Sequence, residues 1–112
     1  MTRTFANCTA PQVAAVLTSE SILRLPIGST EQNGPHLPLS TDTIIAERLA
    51  AAIAGHVASR HPVWLLPALP FGLSLERAWA PGTISLRVAT LTAMIGQLAS
   101  EYRRATKASY VG

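Results

Sequence analysis

The chain has 112 residues, of which 48% are hydrophobic and 13% charged; this suits one domain, 1–112, with a modest core and excludes a solvating, disordered chain. Its net charge of +3 comes from Arg3, Arg24, Arg48, Arg60, Arg77, Arg87, Arg103, Arg104 and Lys107, which are scattered rather than blocked. With aromatics at only 5%, the clustered basic face and stacking rings of a nucleic-acid binder are excluded. Cys8 is the single cysteine, so an internal disulfide is ruled out and a reducing compartment fits. The start, "MTRTFANCTAPQVAAVLTSE", lacks an uninterrupted apolar signal region, and no window approaches the ~18 apolar residues of a membrane span. A soluble, cytoplasmic protein is expected, with no membrane partner.

Thr9 before Ala10-Pro11 predicts a hydroxyl-capped helix with an early proline, carrying Val13, Val16 and Leu17 as its buried stripe and ending near Ser19. "SILRLPIG" then reads as a strand stopped at Gly28. From Asp42 to about Arg60, Ile45, Leu49, Ile53 and Val57 recur every four residues and fall along one side of a helix. "VWLLPAL", Val63 to Leu69, reads as a second buried strand, and strand, helix and strand with short joints imply a parallel pair with a right-handed crossover. Pro70 to Gly82 is expected to be loop and Thr83 to Leu86 a short strand. A second long helix runs from Ala89 to about Lys107, with Leu91, Ile95, Leu98 and Tyr102 inward. "ASYVG" closes the chain as a third main strand, and the layout is α/β.

"LPIGSTEQNGPHLPLSTD", Leu25 to Asp42, joins the first strand to the first long helix. In open parallel sheets ligands gather at the carboxyl ends of strands, where loops are free to carry polar groups and helix N-termini present positive dipole ends. Glu31 follows the strand end closely, Asp42 stands at the mouth of the helix, and "PHLPL" stiffens the path between them. Two carboxylates brought together repel unless one protonates or a divalent cation joins them. The competing reading has Thr41 or Asp42 capping the helix, Glu31 in solvent and His36 packed between prolines. Ser29 fits the sharp turn after the strand better than nucleophilic chemistry, since no histidine is placed to activate it. His56 and His61, near the helix C-terminus, fit a favourable interaction with its dipole.

The same stretch is similar to the N-terminal signature of the creatininase family of amidohydrolases, P-x-G-S-x-E-Q-H-G-x-H-L-P-x-x-x-D. A second block, "LPFGLSLERAWAPGTISL", Leu69 to Leu86, resembles the family's segment ending in P-G-T-x-S. Within the family, "GSTEQ" and "GPHLPL" are closest to the mycofactocin-associated peptidase branch. The resemblance implies a three-layer α/β/α sandwich with a mainly parallel sheet, assembled into homo-oligomers, and a two-metal zinc or manganese site whose activated water hydrolyses an amide or cyclic amide bond. By position it implies metal ligation by Glu31 and Asp42; His36, Arg77 and Trp79 are candidates for the substrate side, with packing the alternative for His36 and for Trp79.

Two departures accompany the match. The family's histidine ligand falls on Asn33, whose neutral amide oxygen is a weaker donor to a transition metal than imidazole. A histidine frequent in the second block falls on Arg77, a permanent cation. The family's next catalytic block, N-G-H-G-G-N, follows a strand in the position of "ASYVG", and the sequence ends at Gly112 before it. The expectation is therefore a truncated family member, a metal-dependent amide hydrolase impaired in this chain and acting on a small amide or peptide, alone or with a complementing chain. The alternative is a degenerate, non-catalytic relative that serves as a binding or assembly subunit.

Overall fold

The computed structural model describes residues 3–112. In chain order its elements are β1 (Arg3–Thr4), α1 (Ala10–Val16), β2 (Ile22–Arg24), α2 (Thr41–Val57), β3 (Val63–Leu65), α3 (Val88–Thr106) and β4 (Tyr110–Val111), with single 3-10 turns at Phe5–Asn7 and Leu75–Arg77. The strands form one sheet in the order β1-β3-β2-β4, every pair parallel. The predicted parallel pair is thus β2 and β3, with Ile22, Leu23 and Arg24 opposite Val63, Trp64 and Leu65. "ASYVG" does form a strand beside β2. It is the fourth rather than the third, because two residues at the N-terminus pair with β3.

Strand alternation divides the packing between the two faces of the sheet. Leu23 and Leu25 join Leu17, Leu66 and Ala108 in one buried cluster, against which Phe5, Val13, Trp64, Leu98 and Tyr102 pack. This face therefore carries α1 and α3. Phe5 and Tyr102 meet edge to face, with ring centroids 5.5 Å apart. Ile22, Val63 and Leu65 point the other way, and α2 packs there, against β3. The result is an α/β/α arrangement of three layers, as the family resemblance implies.

The helices begin and end for local reasons. Thr9 caps α1 through a reciprocal box: its hydroxyl accepts from the Gln12 N–H at 3.3 Å, and the Gln12 side chain accepts from the Thr9 N–H at 2.8 Å. This satisfies two donors that the first turn would otherwise leave open. The predicted stripe needs one correction, because Leu17 is buried but Val16 is 51% exposed; α1 stops at Val16, so the chain no longer follows the helical period there. At the end of α3, Lys107 adopts a left-handed conformation (φ 64°) and its N–H returns to the Arg103 carbonyl, closing the helix as glycine more often does.

In α2 the periodic residues lie on one side of the helix, and that side is exposed: Ile45 by 56%, Leu49 by 58% and Ile53 by 41%. Ala50 and Ala54 are the residues buried against the sheet. Small side chains let the helix axis approach the strands closely, and the branched chains are left on the outer surface.

The connection after β2 leads to α2 on one face of the sheet, and the connection after β3 leads to α3 on the other. Neighbouring strands whose connections diverge in this way open a crevice at their carboxyl ends, the usual place for a ligand site in such sheets. Both loops are tied together across it. Ile27 and Leu69 extend the pairing, with the Gly28 N–H donating to the Leu69 carbonyl at 2.8 Å and the Leu69 N–H to the Pro26 carbonyl at 2.9 Å. The predicted strand at Thr83 to Leu86 is realised only as isolated bridges, Ile84 with Thr30 and Ser85 with Gly72.

Candidate metal centre

Gly28 ends the path from β2 and decides how closely the loop can approach α2. A side chain at this position would collide with the backbone and hydroxyl of Thr43 in the first turn of the helix. The Thr43 hydroxyl donates to the Ser29 carbonyl at 3.1 Å. The Ser29 hydroxyl in turn donates to Asp42 Oδ2 at 2.8 Å. Asp42 therefore does not cap α2. The residue at the cap is Ser40, which makes no side-chain capping bond, and the Thr41 hydroxyl donates to the Pro38 carbonyl instead.

Glu31 is held from both sides of the crevice. Its N–H donates to the Leu39 carbonyl at 3.2 Å, and the neighbouring Gln32 N–H donates to the Thr83 hydroxyl at 3.0 Å. The residue is only 9% exposed, so the solvated reading of Glu31 does not hold. Gly82, whose φ of +86° suits glycine, brings the second-block loop up to the Leu39 side chain. Together these contacts place Glu31, Asn33, Asp42 and Arg77 in one cluster.

The charges in that cluster are arranged unequally. A single guanidinium nitrogen, Arg77 Nη1, donates to Glu31 Oε1 at 3.2 Å, to the Gln32 carbonyl at 3.2 Å and to Asn33 Oδ1 at 3.1 Å. Asp42 is held below the usual aspartate range, first by hydrogen bonding with the Glu31 side chain and then by the Ser29 hydroxyl. Burial opposes this, while the Asn33 amide and the Arg77 charge add to it.

His36 and Trp79 stand apart from this cluster. His36 is exposed, with its ring beside Gly34. Trp79 is 77% exposed, so it is not packed into the core, and its indole N–H donates to the Glu76 carbonyl at 3.1 Å. Arg77, by contrast, bonds directly to Glu31 and Asn33. Ser29 is the polar partner of Asp42 that reading it as a turn residue passes over, though its place two residues before Glu31 is a signal in hindsight. The Ser74 hydroxyl in the same loop is fully buried without a hydrogen-bond partner. A cavity of about 430 Å³ lined by Phe5, Cys8, Val13, Leu17, Arg104 and Lys107 lies elsewhere, between α1 and the end of α3.

The family model for creatininase (creatinine amidohydrolase) matches residues 6–108. The chain belongs to the creatininase family. It is 43% identical over 88 residues to the mycofactocin precursor peptide peptidase of Mycolicibacterium smegmatis, covering 70% of this chain and 34% of that protein. To the creatinine amidohydrolase of Pseudomonas putida it is 31% identical over 96 residues, covering 81% of this chain and 35% of that protein. It thus spans about a third of the length of these curated relatives. Among solved structures, a manganese creatininase superposes with a TM-score of 0.81 at 25% identity, over 99% of this chain and 44% of its own. A zinc–zinc form of a creatininase variant gives 0.80 at 25% identity, over 99% and 43%.

These neighbours bring divalent metal into the family, and the donor set of this member can be compared with that demand. It offers two carboxylates and a neutral amide. Among the described residues no group of three or more His, Cys, Asp or Glu side chains gathers to hold a metal ion. Transition-metal sites favour imidazole and thiolate donors at about 2.0–2.3 Å, and here a guanidinium already lies between two of the available oxygens. As they stand, these residues do not fit a two-metal centre. Among the described residues, no helix is long and apolar enough to cross a membrane.

Proposed function

We propose that this chain is the carboxylate-bearing part of a creatininase-type hydrolase that cleaves an amide or cyclic amide bond, and that it is impaired as a metal-dependent catalyst on its own. The observation that carries this reading is the convergence of Glu31 and Asp42 at the carboxyl end of β2, with Ser29 ordering Asp42. The substrate is a small amide or a peptide, in keeping with the relatives named for creatinine and for a precursor peptide. Further ligands for zinc or manganese would come from residues outside these 112. His36 and Trp79, exposed on the same loops, are proposed to face the substrate.

The test is hydrolysis of creatinine and of short peptides by the chain with and without a polypeptide corresponding to the remainder of a family member. Activity is expected only in the mixture with manganese or zinc, and Asp42→Asn should abolish it. Inactivity of a well-formed, metal-loaded mixture towards every amide tried would overturn the assignment.

A second reading, a non-catalytic binding or assembly subunit, draws on the outward Ile45, Leu49 and Ile53 of α2. It places a second copy of the chain, as in a homo-oligomer, over that face. A cytoplasmic setting suits both readings.

A further inference from the structure

Asn33 and Arg77, the two positions where this sequence departs from the family's histidines, are each other's partners. Asn33 Oδ1 accepts from Arg77 Nη1 at 3.1 Å, across 44 residues of sequence. The same nitrogen reaches Glu31 Oε1 and the Gln32 carbonyl, so three oxygens from three consecutive residues converge on one cationic atom. We propose that, in this chain on its own, Arg77 is the resident cation of the site, standing in for a divalent metal beside Glu31 and excluding it. The proposal rests on the reading of Glu31 and Asp42 as the family's carboxylates.

The chemistry of the pair supports it. A guanidinium has only donors and keeps its charge at any pH relevant to a protein, and an asparagine oxygen accepts without having a proton to lose. Two such groups stay complementary where an imidazole facing the same arginine would be repelled on protonation. Glu31, with its side chain 12% exposed, needs a counter-charge, and Arg77 supplies one at salt-bridge distance. A metal ion drawing on Glu31 Oε1 and Asn33 Oδ1 would need the same lone pairs that Nη1 now occupies, and would sit next to a fixed positive charge. Binding a metal there requires displacing the arginine. Arg77 retains 41% side-chain exposure, so its stem has open space beside it and the cation is held by its oxygens rather than by enclosure.

Manganese titration of the metal-stripped full chain tests this, with free Mn²⁺ followed by electron paramagnetic resonance and its position by paramagnetic broadening of backbone amide signals. The wild type is expected to take up manganese substoichiometrically, with no selective broadening at Glu31, Asn33 and Asp42, and to melt independently of chelator. Arg77→Met keeps the stem and removes the charge. It is expected to bind about tenfold tighter or more and to show broadening at those three amides. Stoichiometric uptake by the wild type at these amides, or a folded Arg77→Met that binds no better, overturns the proposal. Should Arg77→Met not fold, Arg77→Lys decides: exclusion of manganese as in the wild type supports a resident cation, and stoichiometric uptake overturns it. A metal-loaded wild type would defeat this proposal and leave the hydrolase reading intact. An inactive complemented mixture would do the reverse.

Discussion

Ser29 shows how much of the site is settled by one hydroxyl. Its 2.8 Å bond orders Asp42 and helps hold that carboxyl ionised below the ordinary value of 3.8, alongside the larger effect of Glu31. Because the folded-state pKa is depressed, Asp42 contributes stability above its unfolded pKa and loses it as pH falls through the folded value. Ser29→Ala should therefore destabilise the chain by about 1 kcal/mol at neutral pH, and its difference from the wild type should shrink in acid below the ordinary aspartate value. Urea unfolding of both proteins from pH 7 down to pH 2 measures this, and a constant difference across the range would show that Ser29 acts without Asp42. The carboxylates themselves were readable in the sequence, since a strand end followed by a helix start brings Glu31 and Asp42 to one place. Arg77 was visible only as a departure from a pattern. Its arrival between Glu31 and Asn33 depends on a loop following a different strand, and no local period reports that contact.

At the scale of elements, α2 is where sequence and structure diverge most usefully. The four-residue recurrence correctly predicts a helix on which Ile45, Leu49 and Ile53 share a side. It does not say which side meets the sheet, and close approach to β3 selects Ala50 and Ala54. Periodicity records the geometry of a helix, whereas the buried face is chosen by the space beneath it. Substitutions should separate the two faces. Ala54→Leu inserts bulk at a position 3% exposed and should cost about 1–3 kcal/mol through overpacking. Leu49→Glu, on the outer side, should change the stability of the monomer by no more than about 0.5 kcal/mol. Equal losses in thermal melts would mean that the outer face is covered within the monomer. Other elements were legible to within a few residues: the Thr9 cap, the Gly28 stop and the span of α3 each follow from local chemistry. The strand at Arg3–Thr4 was not, since two residues carry no pattern and form a strand only because β3 offers them an edge.

Taken whole, the molecule is looser than its length requires. Its radius of gyration is 15.5 Å, against about 13 Å for a compact domain of this size. Its accessible surface is 7127 Å², where a folded monomer of this mass would expose about 6,000 Å². The excess agrees with large apolar side chains on several exposed elements, among them Leu49, Leu75, Trp79 and Val88. Exposed apolar surface of this kind favours association. Sedimentation velocity at tens of micromolar chain should show species heavier than the 11.9 kDa monomer, shifted toward monomer by Leu49→Glu. A monodisperse monomer at every concentration would mean that this surface is tolerated in water without a partner.

The order of the strands has a consequence for how the chain reaches this structure. Arg3 pairs with Trp64 and Ile22 with Tyr110, so no strand pairs with its immediate successor except β2 with β3, and even these are joined through α2. A sheet made wholly of such distant partners must close long stretches of chain before any pairing repays the lost entropy, which slows the search. During synthesis β2 and β3 can meet once α2 lies between them, but β4 is made only after both and after α3. Until it arrives, the far edge of β2 carries unpaired backbone groups, and the time spent in that state sets how long the nascent sheet is open to pairing with a neighbouring copy.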